Sequence, residues 1–411
     1  MTFVAPLLGM AVLLGIAVAL STDRRAISLR TVGGAFAIQV GLGALVLYVP
    51  AGRRLLQGVA GGVQTVMDSA QAGIDFLFGP LAGEAAVEGG LGFVFAFQVL
   101  PLIVFFSSLI AVLYHVGVMP WVIRVLGGAL QRVLGTSRTE SLSATANIFV
   151  GLTEAPLAVR PFIAGMTRSE LFAVMVGGLA SVAGTVLGGY AALGVDLRYL
   201  VAASFMAAPG GLLMAKIMIP ETARPEEDVD AVLAETEGPV NVIDAAATGA
   251  GSGLVLAANV GAMLLAFIAL IALANVILGA VAGWLGAGGL TFEAILGWLF
   301  APVAWLVGVP WAEAPAAGGL FGQKLILNEF VAFVNLVGAE TPLSERTTAI
   351  TTFALCGFAN FASIAILIGG LGGMAPSRRQ DIARLGVRAV VAGSLANLMS
   401  AAIAGLFLGL G

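Results

Sequence analysis

Charge, cysteine and histidine are all scarce in this sequence. Only 10% of its 411 residues are charged, against about 25% in a soluble domain. Hydrophobic residues make up 59%, and the mean hydropathy is +1.04. Polar surface would run out before a water-soluble fold had hidden that much apolar area, so lipid is the expected solvent for most of the chain. The one cysteine, Cys356, excludes an intramolecular disulfide and reads as a small packing residue. The one histidine, His115, beside Tyr114, reads as a packed or interfacial side chain. The sequence offers no metal-ligand cluster or nucleophile triad of the kind an embedded enzyme would use. A formal net charge of −4 without a basic tract excludes a nucleic-acid partner. Glycine is abundant, with 56 residues, and small residues let membrane helices approach closely.

A helix needs about 20 apolar residues to span a bilayer. Candidates lie near 3–21, 32–50, 92–119, 170–193, 197–219, 246–280, 347–372 and 387–410. The first has no basic segment before it, no small-residue cleavage site and a charged flank, Asp23-Arg24-Arg25. It is therefore expected to span and not to be a removed signal. Arg24, Arg25, Arg30, Arg124, Arg132, Arg138, Lys216, Arg224, Arg378, Arg379, Arg384 and Arg388 fall on one set of connections, and mainly Arg53, Arg54 and Arg198 on the other. The positive-inside rule makes the first set cytoplasmic. Both termini are then expected outside an inner membrane. Residues 51–80 mix Arg53, Gln57, Gln64, Asp68 and Asp75 with apolar residues and read as an amphipathic helix at the interface. The acidic stretch Glu221–Glu237 reads as a solvated cytoplasmic loop.

Two apolar segments are interrupted. Thr139–Met166 carries Gly151-Leu152-Thr153-Glu154-Ala155-Pro156 at its centre. Pro156 would break a continuous helix but fits a first helical turn. The segment reads as a re-entrant hairpin entering from the cytoplasm, with one half-helix ending near Phe149 and another starting near Ala155. Irregular backbone at membrane depth is tolerated only inside protein or along a cavity. Glu154 at the tip costs on the order of 3 kcal/mol on insertion scales, so it marks a functional position. The positive end of the second half-helix is expected to keep it ionised.

Ala314–Val337 repeats the pattern with Gly322-Gln323-Lys324 and Asn328-Glu329-Phe330, entering from outside. A span with a broken centre follows each hairpin, at Ser181–Val186 and at Cys356–Ser363. Hairpin and broken helix, twice and from opposite sides, form an inverted repeat. Such repeats place substrate and ion sites on discontinuous helices at their interface. Spacing and chemistry thus point to a carrier without naming its cargo. Structural roles compete at several positions: Glu154 could be neutralised by Arg160, Glu329 could pair with Lys324, and Asn360 and Ser363 could be interhelical glue. A channel filter and an enzyme using Glu154 and Glu329 as an acid–base pair are the other classes. Saturable, gradient-driven uptake separates a carrier from the first, and lack of product separates it from the second.

At these residues the sequence resembles the concentrative nucleoside transporter family. The matching stretches are Asn147–Leu157, Asn241–Ala247, Gly322–Ala332 and Cys356–Ile364, in order, and the likeness runs from about residue 90 to the C-terminus. The first two spans match only in hydropathy. The resemblance implies a homotrimer in which each protomer moves one site, elevator-like, past a static scaffold. It implies that Thr153 and Glu154 face the nucleobase, with Val186 packing beside it. Glu329, Asn360 and Ser363 would face the ribose hydroxyls, with Phe358 nearby. A sodium ion would lie between the first hairpin and the first broken helix, on the side chains of Asn147 and Ser181 and the carbonyls of Val150 and Val182. Carboxylates are strong acceptors for ribose hydroxyls, and an all-oxygen set suits a hard cation. Many members carry an amide, often Gln, where this chain has Leu152. A leucine cannot bond a base edge, so weaker discrimination between pyrimidine and purine nucleosides is expected.

The expectation is an all-α polytopic membrane protein with about eight spanning helices and two re-entrant hairpins. Residues 1–136 are mostly scaffold. Residues 137–219 hold the first hairpin, its broken span and the next span. Residues 220–245 are a polar loop, 246–312 a long scaffold span and an external helix, and 313–411 the second hairpin, broken span and last span. Its partners are a nucleoside such as uridine or adenosine, sodium, membrane lipid and further copies of the chain. Proton coupling through Glu154, Glu329 or His115 is the alternative to sodium.

Overall fold

Every regular element among the described residues of this computed structural model, 3–82, 93–225, 239–284 and 290–410, is a helix. In chain order α1 is Val4–Ala19, α2 Leu29–Leu47, α3 Pro50–Phe78, and α4 Leu100–His115 after a single turn at Phe95–Gln98. Then come α5 Val118–Leu134, α6 Arg138–Ala146, a 3-10 segment Ala155–Phe162, α7 Arg168–Ala180, α8 Gly184–Ala192 and α9 Leu197–Met218. The second half holds α10 Val242–Trp284, α11 Phe292–Leu306, α12 Ala314–Ile326, α13 Glu329–Val337, α14 Glu345–Leu355, α15 Ala362–Met374 and α16 Arg379–Phe407.

Among the described residues, six stretches are long and apolar enough to cross a membrane: Leu29–Leu47, Phe95–His115, Arg168–Ala192, Leu197–Met218, Val242–Trp284 and Pro376–Phe407. Of the other expected spans, the first forms α1, shorter at 16 residues, and 347–372 is divided between α14 and α15. Burial sorts the elements. The most apolar windows of α9 and of Arg168–Ala192 are 94% and 89% buried, whereas that of α10 is only 11% buried. The centre is therefore built from α7, α8, α9 and α16, and α10 lies at the rim. At 43 residues α10 is about 65 Å long, twice the roughly 30 Å hydrocarbon core, so it tilts or runs past it. It packs along α4 where Gly249 and Gly253 leave room. A Cβ on these would approach Ala111 Cβ to 2.6 Å and Ser107 Cβ to 2.7 Å.

The starts of α6 and α7 follow from capping boxes. Ser137 with Glu140, and Thr167 with Glu170, each satisfy orphan amides at both ends of the first turn. Pro50 occupies the first turn of α3, where its missing N–H costs nothing. The basic segment after the third span, expected only as a cytoplasmic flank, is the helix α5, with Ile123, Gly127 and Leu134 inward.

One expectation needs correction. The second half of the first hairpin is a 3-10 segment and not an α-helix. Pro156 and Pro161 remove two amide donors within eight residues, and an i→i−4 ladder cannot survive that. The dipole support expected for Glu154 weakens accordingly, because so short and tight a segment aligns few peptide dipoles. Its first half ends at Ala146 and tightens into turns, with Ile148 N–H on Thr145 O (3.1 Å) and Phe149 N–H on Ala146 O (2.9 Å). Lys324 and Glu329 do not share a helix, because the chain breaks at Leu327-Asn328 and Asn328 caps α13. Of the acidic stretch Glu221–Glu237, residues 226–237 lie outside the described residues.

Glu313, just before α12, accepts from Ser344 N–H (3.0 Å), from Ser344 Oγ (2.8 Å) and from the Thr347 hydroxyl. It ties the start of α12 to the start of α14. Burial raises its carboxyl, but the hydrogen bonds of Thr347 and Ser344 outweigh burial and hold it below the usual carboxylate range. A depressed carboxylate contributes stability that is complete above its unfolded value and is lost as pH falls through the folded one. Glu313→Gln should therefore lower the unfolding midpoint at pH 7 by about 1–2 °C, a small effect because the site is solvent-screened. The difference from the parent should vanish at acid pH. Thermal scans from neutral to acid pH check this.

Candidate functional site

Four chain breaks meet at the centre of the protein. They lie at 147–154 after α6, at Ser181-Val182-Ala183 between α7 and α8, at Leu327-Asn328 between α12 and α13, and at 356–361 between α14 and α15. Helix ends expose backbone groups that need partners, and here the breaks serve one another. Gly184 N–H donates to Phe149 O, Phe358 N–H to Ser181 O and Phe361 N–H to Leu325 O, each at 3.1 Å.

Between the breaks is a cavity of ≈ 140 Å³. Its walls include Leu152, Thr153, Glu154, Val186, Glu329, Phe358, Asn360 and Ser363, together with Val260, Met263 and Leu264 of α10. The structure thus brings all eight expected substrate-facing residues into one space, and it adds a wall from the rim helix. Glu154 is exposed to that space, and its carboxylate lies over Gly151. Leu152 is buried against Gly178 of α7, where a Cβ would meet Leu152 Cβ at 2.9 Å. Thr153 packs its methyl on Gly370 of α15 in the same way, at 2.7 Å.

The opposite wall is polar and organised. Glu329 is buried at the first turn of α13. Its Oε1 accepts from Tyr190 Oη (2.9 Å), and its Oε2 faces the Asn360 amide (3.4 Å). Asn360 Oδ1 accepts from both the N–H (2.9 Å) and the hydroxyl (3.0 Å) of Ser363. These bonds set the direction of each group. The Asn360 amide hydrogens point toward Glu329 and the cavity, and the Ser363 oxygen keeps lone pairs for a donor. Carboxylate, amide and hydroxyl together can both accept from and donate to vicinal hydroxyls.

Of the expected ion ligands, Asn147 and Ser181 both lie against Gly177 of α7. Asn147 is 1% exposed. Its Nδ2 donates to Ser143 O at 2.9 Å, while its buried Oδ1 has no hydrogen-bond partner. It lies over Gly177 of α7, where a Cβ would meet Nδ2 at 3.1 Å. Ser181 Oγ donates to Gly177 O at 3.0 Å, leaving its lone pairs free. A buried oxygen without a donor calls for explanation. A small hard cation held by oxygens supplies one.

Several groups around the site escaped the sequence reading. Tyr190, which orients Glu329, is one aromatic in a small apolar run and carries no signal of its role. Asn397 of α16 donates through Nδ2 to Ala180 O (2.6 Å) and Cys356 O (3.0 Å), the carbonyls at two of the breaks. Lys324 Nζ donates to Ala354 O (2.7 Å) and to Asn397 Oδ1 (2.6 Å). Below the first hairpin, Lys216 pairs with Glu140 and donates to Ser169 Oγ (2.8 Å), and Thr139 donates to Glu170 (2.9 Å). Neither the burial of these two glutamates nor the Glu140–Lys216 ion pair was read from the sequence.

The comparisons cover nearly the whole chain. Family models described as Na+ dependent nucleoside transporter N-terminus, nucleoside recognition gate, and Na+ dependent nucleoside transporter C-terminus match residues 8–81, 96–196 and 199–405. The nucleoside permease NupC of Helicobacter pylori is 53% identical, over 98% of this chain and 97% of its own. CNTnw in an inward-facing substrate-bound state is 61% identical, with TM-score 0.95, over 100% of this chain and 99% of that one. A doubly substituted CNTnw in an outward-facing state is likewise 61% identical, with TM-score 0.97, over 100% of both chains.

Proposed function

Because this chain belongs to the Na+ dependent nucleoside transporter family, we propose that it imports nucleosides, uridine and adenosine among them, by symport with sodium. The family consists of transporters and not enzymes, and the cavity is a binding site for cargo. The observation that carries the reading is the buried Glu329–Asn360–Ser363 array on one cavity wall. Vicinal ribose hydroxyls donate to Glu329 and Ser363 and accept from Asn360. A site built to pair hydroxyls rejects analogues that lack them, because its own buried groups are then left unpaired. Thr153 and Glu154 face the base from the other side, with Val186 and Phe358 against its apolar surface.

Sodium is the second cargo. The partnerless Asn147 Oδ1 supports this choice, with Ser181 Oγ and the carbonyls of Val150 and Val182 completing the set. Sodium there draws the first hairpin onto the α7–α8 break and sets Leu152, Thr153 and Glu154 for substrate. By linkage the nucleoside then tightens sodium by the same factor. Alternating access follows from movement of the two hairpins and broken helices past α10, whose Val260, Met263 and Leu264 form the static wall of the cavity. The re-entrant course of both hairpins, a homotrimer seated on exposed apolar faces such as that of α10, and termini outside an inner membrane complete the proposal.

Uptake of labelled uridine into proteoliposomes tests it, with an inward sodium gradient, a proton gradient, or neither. Uptake that requires sodium upholds the reading. Uptake on protons alone transfers coupling to an ionisable group and removes the sodium site. A Leu152→Gln variant should sharpen selectivity between uridine and adenosine by about tenfold, the worth of one hydrogen bond. Competition by the two nucleosides measures it, and an unchanged profile would show that Leu152 does not set preference.

A further inference from the structure

Two helix C-termini are buried against each other beside the cavity. α7 ends at Ala180 and α14 at Leu355, and the Asn397 amide bridges Ala180 O and Cys356 O. Each end carries roughly half a negative charge from carbonyls left without a partner inside their own helix. Two such ends repel in a low-dielectric interior. Lys324, 5% exposed, meets the α14 end directly at Ala354 O and the α7 end only through Asn397. A lysine so buried is ordinarily matched by a carboxylate. This one reaches Ala354 O and Asn397 Oδ1 instead, oxygens of a carbonyl and a carboxamide without formal charge. Glu329, the acid nearest in sequence, acts on Lys324 by charge through space while its oxygens bond Tyr190 and Asn360.

A carboxamide oxygen and a backbone carbonyl at a helix break are also what the first break offers through Asn147, Val150 and Val182. We propose that the Lys324 ammonium is a tethered cation, doing at the α14–α15 break what a mobile sodium ion does at the α7–α8 break. It neutralises the converging helix ends, and through Asn397 it holds the two breaks in register. Lys324 and Asn397 are then positioning residues for Glu329, Asn360 and the first hairpin. The parallel with the first break rests on the proposed sodium site; the role of the fixed charge does not.

The idea has a consequence that packing alone would not produce. Lys324→Ser removes the ammonium but keeps the oxygens, so it should create a site that a small cation can fill. In detergent without added sodium, its unfolding midpoint should fall by about 5–10 °C. Sodium or methylammonium should restore most of the loss, and the larger tetramethylammonium should not. The parent should show no comparable response to methylammonium. In proteoliposomes the variant's uptake at low sodium should fall about tenfold, and its sodium activation should steepen from a Hill coefficient of about 1 toward about 2.

Lys324→Met, similar in length but neutral, should be destabilised and should not respond to cations. Parent-like stability in either variant overturns the proposal. So does a destabilised Lys324→Ser that no small cation restores. If Lys324→Ser does not fold, Lys324→Met decides alone: a midpoint like the parent's overturns the proposal, and a lowered midpoint or loss of folded protein upholds it. Absence of uridine uptake by the parent would remove the transport reading yet leave the thermal test intact.

Discussion

Glu329→Gln should lower uridine uptake at subsaturating substrate by about two orders of magnitude. Hydrogen bonds to a charged group are worth about 1.5–3 kcal/mol each, and an ionised Glu329 offers bonds to ribose hydroxyls that the amide can only half replace. The amide also places an N–H₂ against either the Tyr190 hydroxyl or the Asn360 amide, which now donate to the two carboxylate oxygens. Asn360 would lose its orientation, and Ser363, bonded to Asn360 Oδ1, would follow. The loss should appear mainly in KM, since binding is what the array supplies. The discriminating comparison is with 2′,3′-dideoxyuridine, which cannot use the array. The parent should transport it poorly, and Glu329→Gln should change its uptake far less than that of uridine. Equal losses for both nucleosides, at equal amounts of folded protein, would assign Glu329 a purely structural place.

Asn147→Ala should abolish the response of uptake to a sodium gradient. It deletes the one buried side-chain oxygen in the group that has no hydrogen-bond partner, so no protein bond to that oxygen is lost. The effect on sodium affinity should be about 10–100-fold, comparable to disturbing a ligand's support in other metal sites. Reciprocity makes the test stricter. In the parent, the factor by which saturating sodium tightens uridine must equal the factor by which uridine tightens sodium. Both factors should fall to about 1 in Asn147→Ala. Titration calorimetry of each ligand, with and without the other, measures them. An undiminished coupling factor in the variant would move the sodium site elsewhere.

Much of this protein was legible before its structure. Scarce charge and long apolar runs called for lipid and placed helices closely, as with 197–219 against Leu197–Met218, while the mixed polar and apolar pattern of 51–80 marked the helix Pro50–Phe78. Hydrophobic length is a local property, so a linear sequence carries it. The breaks were legible for the same reason. Pro156, the Gly151–Pro156 run and the polar Cys356–Ser363 run each disrupt a helix by local chemistry, wherever the segment finally packs. The form of the second half of the first hairpin was misjudged, because two prolines act on the same short ladder and only their sum forces a 3-10 turn.

What the tertiary structure decided is which groups satisfy one another. Whether Lys324 pairs with Glu329 or with the end of α14 depends on the break at Leu327-Asn328 and on the approach of α16. Asn397 lies 217 residues from Ala180, and nothing in its local sequence distinguishes it from an ordinary polar residue in a span. Tyr190 and Glu329 are 139 residues apart. The sequence by itself determined that there would be helices, that some would break, and that acids would stand at the breaks, because those outcomes depend on neighbours along the chain. Only the packed structure decided how the exposed carbonyls and buried charges at the breaks were matched, because a buried polar group takes the partner that folding brings within hydrogen-bond reach, however distant it is in sequence.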